Sequence, residues 1–199
     1  MKFIRGMLGA VLAVAVIAPA DARTHKSHAP DKHVSKPAPA ASAPAAAASG
    51  PSPLGSFHDW SAYTRGTGDA KVCYALSEPK TKEPARAKRD PIYFLINEWP
   101  GRHSKDEAEI VPGYPYKDGS SVTVQVGKAK FSFFTKNEGS AGGAWLLNPA
   151  DQPKLIDAMR GGSNAIVTGT SKRGTQTRDT YSLAGMGDAL AKIRQACGM

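Results

Sequence analysis

Hydrophobic and polar residues alternate with a period of two through most of the chain beyond residue 54. The clearest instance is Val122, Val124 and Val126 interleaved with Thr123 and Gln125, followed by a Gly127-Lys128 turn and by Phe131 and Phe133 on one face of a returning strand. Alternation of this kind marks half-buried strand, and a two-residue Gly loop between two such runs marks a hairpin. Further strands are predicted over residues 57–63, 72–77, 92–98, 108–111, 144–147, 165–170 and 177–183, each bounded by Gly, Pro, Asn or charged residues. About eight or nine short strands at this spacing predict a mainly β fold, an antiparallel β-sandwich or barrel-like domain. Two short helices interrupt the pattern. In the first, Asp151 is the expected N-cap, Leu155, Ile156 and Met159 share a face, and Gly161-Gly162 ends the helix. The second begins near Gly187, and a stripe of Met186, Leu190, Ile193 and Cys197 puts Cys197 on its buried face. Both helices are expected to cap open ends of the sheet.

The pattern changes before residue 54. Lys2 and Arg5 precede an apolar run over residues 7–18, and Ala18-Pro19-Ala20 has the small-x-small form of a signal-peptidase site. A run of about a dozen apolar residues is too short to span a bilayer, so residues 1–20 read as a signal peptide cleaved before Asp21. Residues 21–53 hold ten Ala, six Pro, five Ser and no aromatic residue, and are expected to form a disordered linker. His25, His28 and His33 within it could bind a metal weakly, but a solvated basic tail is the simpler reading. The domain is therefore residues 54–199, expected in the periplasm or secreted, with no stable membrane insertion. It carries twenty basic against fifteen acidic residues, a mild excess that does not point to nucleic acid.

In an oxidising compartment the chain's two cysteines, Cys73 and Cys197, are expected to pair in a structural disulfide, the alternative being a redox-active pair without a Cys-x-x-Cys motif. No motif brings a reaction. Residues 169–175 have the look of a phosphate loop, but Thr175 stands where its Lys belongs and the stretch lies between two strand-like runs. It reads instead as a basic hairpin tip. Lys172 and Arg173, with Arg178 on the returning strand, are the candidate residues for an anionic partner, and alternation puts Arg178 opposite Asp179 and Tyr181. Ser77 and Lys80 match Ser-x-x-Lys in letters only, since Pro79 disfavours the helix that chemistry needs. His58 and His103, the remaining histidines, have no zincin spacing and no nucleophile elbow nearby. Asp106, Glu107 and Glu109 read as a charged edge before a strand. Trp60, Trp99 and Trp145 read first as core anchors, and Trp145, after the flexible-looking Gly-rich stretch 139–143, is the candidate aromatic surface.

Several short motifs share their order and spacing with a known family. They are Cys73-Tyr74-Ala75-Leu76-Ser77 with Pro79-Lys80, Lys88-Arg89, the Gly113-Tyr114-Pro115 turn, Trp145 and Asp157-Ala158-Met159-Arg160-Gly161. Gly169-Thr170-Ser171 with Arg173-Gly174, Asp179-Thr180-Tyr181-Ser182-Leu183 and the Cys197 helix complete the set. Over essentially all of residues 54–199 the chain resembles the invasion-associated locus B family of exported alphaproteobacterial proteins. The resemblance implies an exported β-rich domain, associated in some pathogens with host-cell entry, and no established enzymatic activity, cofactor or catalytic residue. Many relatives carry a Cys three residues after an Asp-Trp, where this chain has Tyr63 after Asp59-Trp60; that departure leaves Cys197 as the partner of Cys73. The expected function is a non-enzymatic envelope or host-interaction module without metal or cofactor, contacting an anionic envelope or host-surface component. A periplasmic envelope hydrolase with an unrecognised site is the alternative.

Overall fold

The computed structural model describes residues 50–199. The expected signal peptide and all but the end of the linker, including His25, His28 and His33, lie outside the described residues. Within them run β1 (Ser52–Phe57), β2 (Trp60–Arg65), β3 (Val72–Ser77), β4 (Thr81–Glu83), β5 (Tyr93–Trp99), β6 (Ser104–Val111), β7 (Ser121–Val126), β8 (Ala129–Glu138) and β9 (Ala141–Leu146). They are followed by α1 (Gln152–Gly161), β10 (Asn164–Thr170), β11 (Gln176–Ser182) and α2 (Met186–Cys197). No helix among them is long and apolar enough to cross a membrane.

The fold is mainly β and antiparallel, as the alternation predicts, with eleven strands rather than eight or nine. The run predicted as one strand over 57–63 is a hairpin: His58 takes the left-handed conformation (φ 50°) and reverses the chain, so that Phe57 pairs with Trp60. A non-glycine residue in that conformation carries no sequence signal comparable to the Gly127 turn. β4 is the second addition. All three of its residues are polar and exposed, so it has no hydrophobic face for a pattern to reveal. Asp106, Glu107 and Glu109 lie inside β6 rather than before it. The stretch 139–143 is a tight turn at Gly139-Ser140 leading straight into β9, with Gly142 and Gly143 buried. The short 3₁₀ turn (Pro149–Asp151) that leads into α1 is capped by Asn148, whose side chain accepts from the Ala150 amide at 3.2 Å. Asp151 stands at the N-cap position of α1 as expected, but in a helical conformation, and its side chain pairs with Lys154 rather than making a capping hydrogen bond.

The sheet order is β1-β2-β3-β5-β6-β9-β8-β7-β10-β11-β4. Residues 78–80 carry the chain from β3, near one end of this order, to β4 at the other, and the Lys80 amide donates to the Thr180 carbonyl at 2.7 Å. The sheet thus curls until its ends meet. At the meeting line the Trp60 indole donates to the Ser182 carbonyl at 3.0 Å, and the rings of Trp60, Phe94 and Tyr181 touch in sequence at centroid distances of 6.0 and 5.6 Å. Inward-facing residues of the strands share one apolar core with Leu155, Ile156 and Met159 of α1 and Met186, Leu190 and Ile193 of α2. Both helices therefore pack on the inner side of the curl. Cys73 of β3 is bonded to Cys197 at the end of α2, with Cα atoms 5.9 Å apart, tying the C-terminal helix to the sheet.

Candidate functional site

The β10–β11 hairpin tip is fixed by its own backbone and by a neighbouring loop. Gly174, at φ 83°, closes the turn by donating to the Ser171 carbonyl at 2.8 Å, and the Ser171 amide donates to the Thr175 carbonyl at 2.9 Å. The Lys172 amide donates to Pro115 O at 2.8 Å, and Tyr116 forms a bridge with Ser171. Lys172 and Arg173 are exposed on this pinned tip.

Below the tip lies a cleft of about 750 Å³, walled on the other side by Ala87, Lys88, Arg89 and Asp90 and floored by Tyr114 and Thr177. The 87–90 segment approaches the Gly113 turn closely: the Asp90 amide donates to Gly113 O at 3.0 Å, and a Cβ on Gly113 would lie 2.2 Å from the Asp90 carbonyl oxygen. Only glycine allows that approach, at a φ of 73°. Arg89 is the anchor of this wall. Its guanidinium forks onto Asp179 at 2.7 and 2.6 Å, its Nε donates to Pro112 O at 2.9 Å, and its plane lies 5.0 Å from the centre of the Tyr114 ring. Burial pushes the Tyr114 hydroxyl above its usual range, with Thr177 at 2.5 Å as its hydrogen-bond partner.

Arg89 is neutralised by Asp179, whereas Lys88, Lys172 and Arg173 have no ion-pair partner among the described residues. Three unpaired cations, with the hydroxyls of Ser171 and Thr175 beside them, suit a ligand rich in carboxylate, phosphate or sulfate oxygens. Neither His58 nor His103 lines the cleft, and neither do Glu98 and Glu109, whose carboxyl groups are shifted upward by burial.

Of the residues singled out from the sequence, Lys172 and Arg173 meet at the cleft and Arg178 does not. Arg178 is exposed on the outer face of β11, opposite Glu83 of β4, while Asp179 and Tyr181 point inward as alternation requires. Lys88 entered the sequence reading only through a shared motif. The irregular stretch between β4 and β5 has no periodicity, so nothing local shows that it folds back toward the tip.

Trp145 is half-buried on the outer face of β9, across from Glu109 of β6 and Phe134 of β8, with its ring centroid 5.9 Å from that of Phe134. Its indole lies over Gly143, where a Cβ would come within 2.3 Å of the ring. Among the described residues, Phe134 and Leu147 are the large apolar side chains most open to solvent, at 44% and 60% exposure.

A family model described as invasion associated locus B protein matches residues 60–194. The fold is similar to the crystal structure of invasion associated protein B from Bartonella henselae, with a TM-score of 0.51 and 13% identity, covering 73% of this chain and 98% of that one. Among curated protein sequences none matches.

Proposed function

This chain belongs to the invasion-associated locus B family, and we propose that it is an exported binding module, acting without catalysis, that grips an anionic component of the envelope or of a host surface. The observation that carries this reading is the convergence of Lys88, Lys172 and Arg173 on one cleft, none of them in an ion pair among the described residues, with Asp90 as the one carboxylate in its lining. The description of the family as invasion associated supports a role related to host invasion.

Heparin, a sulfated polysaccharide, is a suitable probe. Its binding to the full chain should weaken as salt is raised, because exposed charges are screened over about 8 Å at physiological ionic strength. The triple replacement Lys88→Ala, Lys172→Ala and Arg173→Ala should weaken it by about tenfold or more, each exposed charge contributing roughly half a kcal/mol. Arg178→Ala, outside the cleft, should leave it nearly unchanged. Salt-independent binding, or equal loss on replacing Arg178, would refute the cleft as the binding surface.

A further inference from the structure

The outer face of the sheet departs from the rule that a strand face turned to water is polar. Cross-strand register lines up Leu76 of β3, Leu95 of β5, Glu109 of β6, Trp145 of β9 and Phe134 of β8 in a single row. Beside it, Tyr63 and Tyr74 stack at 5.5 Å between ring centres. Both helices belong to the inner core, so no element among the described residues covers this face.

A carboxylate sits in the middle of the row. Glu109 accepts from Asn97 Nδ2 at 3.0 Å, and Glu107, on the same face two residues earlier, accepts from the Trp99 indole at 3.2 Å and the Ser104 hydroxyl at 3.3 Å. Neither has a cation within ion-pair distance among the described residues; the nearby Arg102 lies instead over the Trp99 ring at 4.4 Å. We infer that this outer face is a second docking surface, for a protein partner that presents an arginine or lysine flanked by apolar side chains.

Charge complementarity selects this occupant. Covering the row with apolar groups alone would strip water from Glu109 without replacing it, a cost that a cation brought by the partner offsets. Burial already holds the Glu109 carboxyl above its usual range, the Asn97 hydrogen bond acting in the opposite sense and the Glu107 charge adding to the shift. An anionic membrane surface would meet two like charges here and be repelled. Aromatic side chains on this face, and an arginine brought by the partner, are residue types enriched in protein interfaces and at their energetic centres. The surface is separate from the basic cleft, with which it shares no lining residue.

Selection of displayed random twelve-residue peptides on the immobilised full chain tests the proposal. Enriched sequences should carry Arg or Lys between apolar or aromatic residues, and a synthetic copy should bind Glu109→Gln and Phe134→Ser about tenfold more weakly than the parent, a typical effect at an interface centre. Phe134 is exposed enough that its replacement should not unfold the domain, and an unchanged melting temperature verifies this. The same peptide should bind the Lys88/Lys172/Arg173 triple alanine variant unchanged. Enrichment of acidic peptides, no enrichment, or equal binding to Glu109→Gln would overturn the proposal. So would a dimer of the chain that Phe134→Ser dissociates, since a second copy would then be the occupant.

Discussion

Two buried acids show how differently this fold treats the same kind of charge. Asp179 is met by a bidentate guanidinium whose Nε also donates to Pro112 O and whose carbon lies over the Tyr114 ring, and the two side chains are only 2% and 3% exposed. Removing one member strands the other, which in buried pairs typically costs about 3–5 kcal/mol. Asp179→Asn should therefore lower the unfolding free energy by about that amount in urea titration, whereas Arg89→Met combined with Asp179→Leu should cost clearly less than the sum of the two single replacements. Glu98 lacks such a partner. It is fully buried on β5, its Oε1 has no hydrogen bond, and Arg194, which comes within 3.5 Å, spends its fork on Asp106. Burial, and then the hydrogen bond and charge of Asp106, push its carboxyl up to about 8. A carboxyl that binds its proton more tightly when folded stabilises most below its ordinary value of 4.5, and that contribution is lost as pH rises through about 8. Melting temperature should fall between pH 6 and pH 9 in the parent and fall less in Glu98→Gln; parallel curves would contradict the assignment. Neither acid is distinguishable from a solvated one in the sequence, because what separates them is a partner 90 residues away in one case and 88 residues beyond a neighbour in the other.

The elements that bury a periodic face are the ones that sequence reveals. β3 spans residues 72–77 as predicted, β7 and β8 form the predicted hairpin around Gly127-Lys128, and the Met186–Leu190–Ile193–Cys197 stripe of α2 is buried throughout. Each has apolar residues at the period of its own backbone. β4 has none, and it is a strand only because residues 78–80 deliver it to β11; the β1–β2 turn depends on His58, whose conformation propensity alone would not suggest. The same distinction predicts where substitutions matter within one helix. Leu190, fully buried on α2, should cost about 3 kcal/mol when replaced by Ala, while exposed Gln195→Ala should change stability by no more than about 0.5 kcal/mol. Thermal or urea denaturation of the two variants compares them directly.

At the scale of the whole molecule, the Cys73–Cys197 bond links residues separated by 124 positions and fastens α2 to the sheet. Both of its cysteines were legible as partners, whereas the curling of the sheet that brings Lys88 to Lys172 was not, since that depends on long-range closure through β4 and β11. The two features are also separable in function. Every residue lining the basic cleft comes from the segment before β5, the 113–115 turn, the turn before β9, the β10–β11 tip or the start of β11, and none from β3 or α2. Chain-entropy arguments assign a crosslink of this span about 4–5 kcal/mol, a large share of the 5–15 kcal/mol typical of a folded domain. Cys197→Ser should accordingly lower stability by about 3–5 kcal/mol, and reduction of the parent protein should reproduce that loss in denaturant titration. At low temperature, where the variant remains folded, heparin should bind it with the parent's affinity and salt dependence. Loss of binding by the folded variant would mean that α2 and its bond also shape the cleft, while unchanged stability would show that the helix holds to the sheet by its apolar face alone.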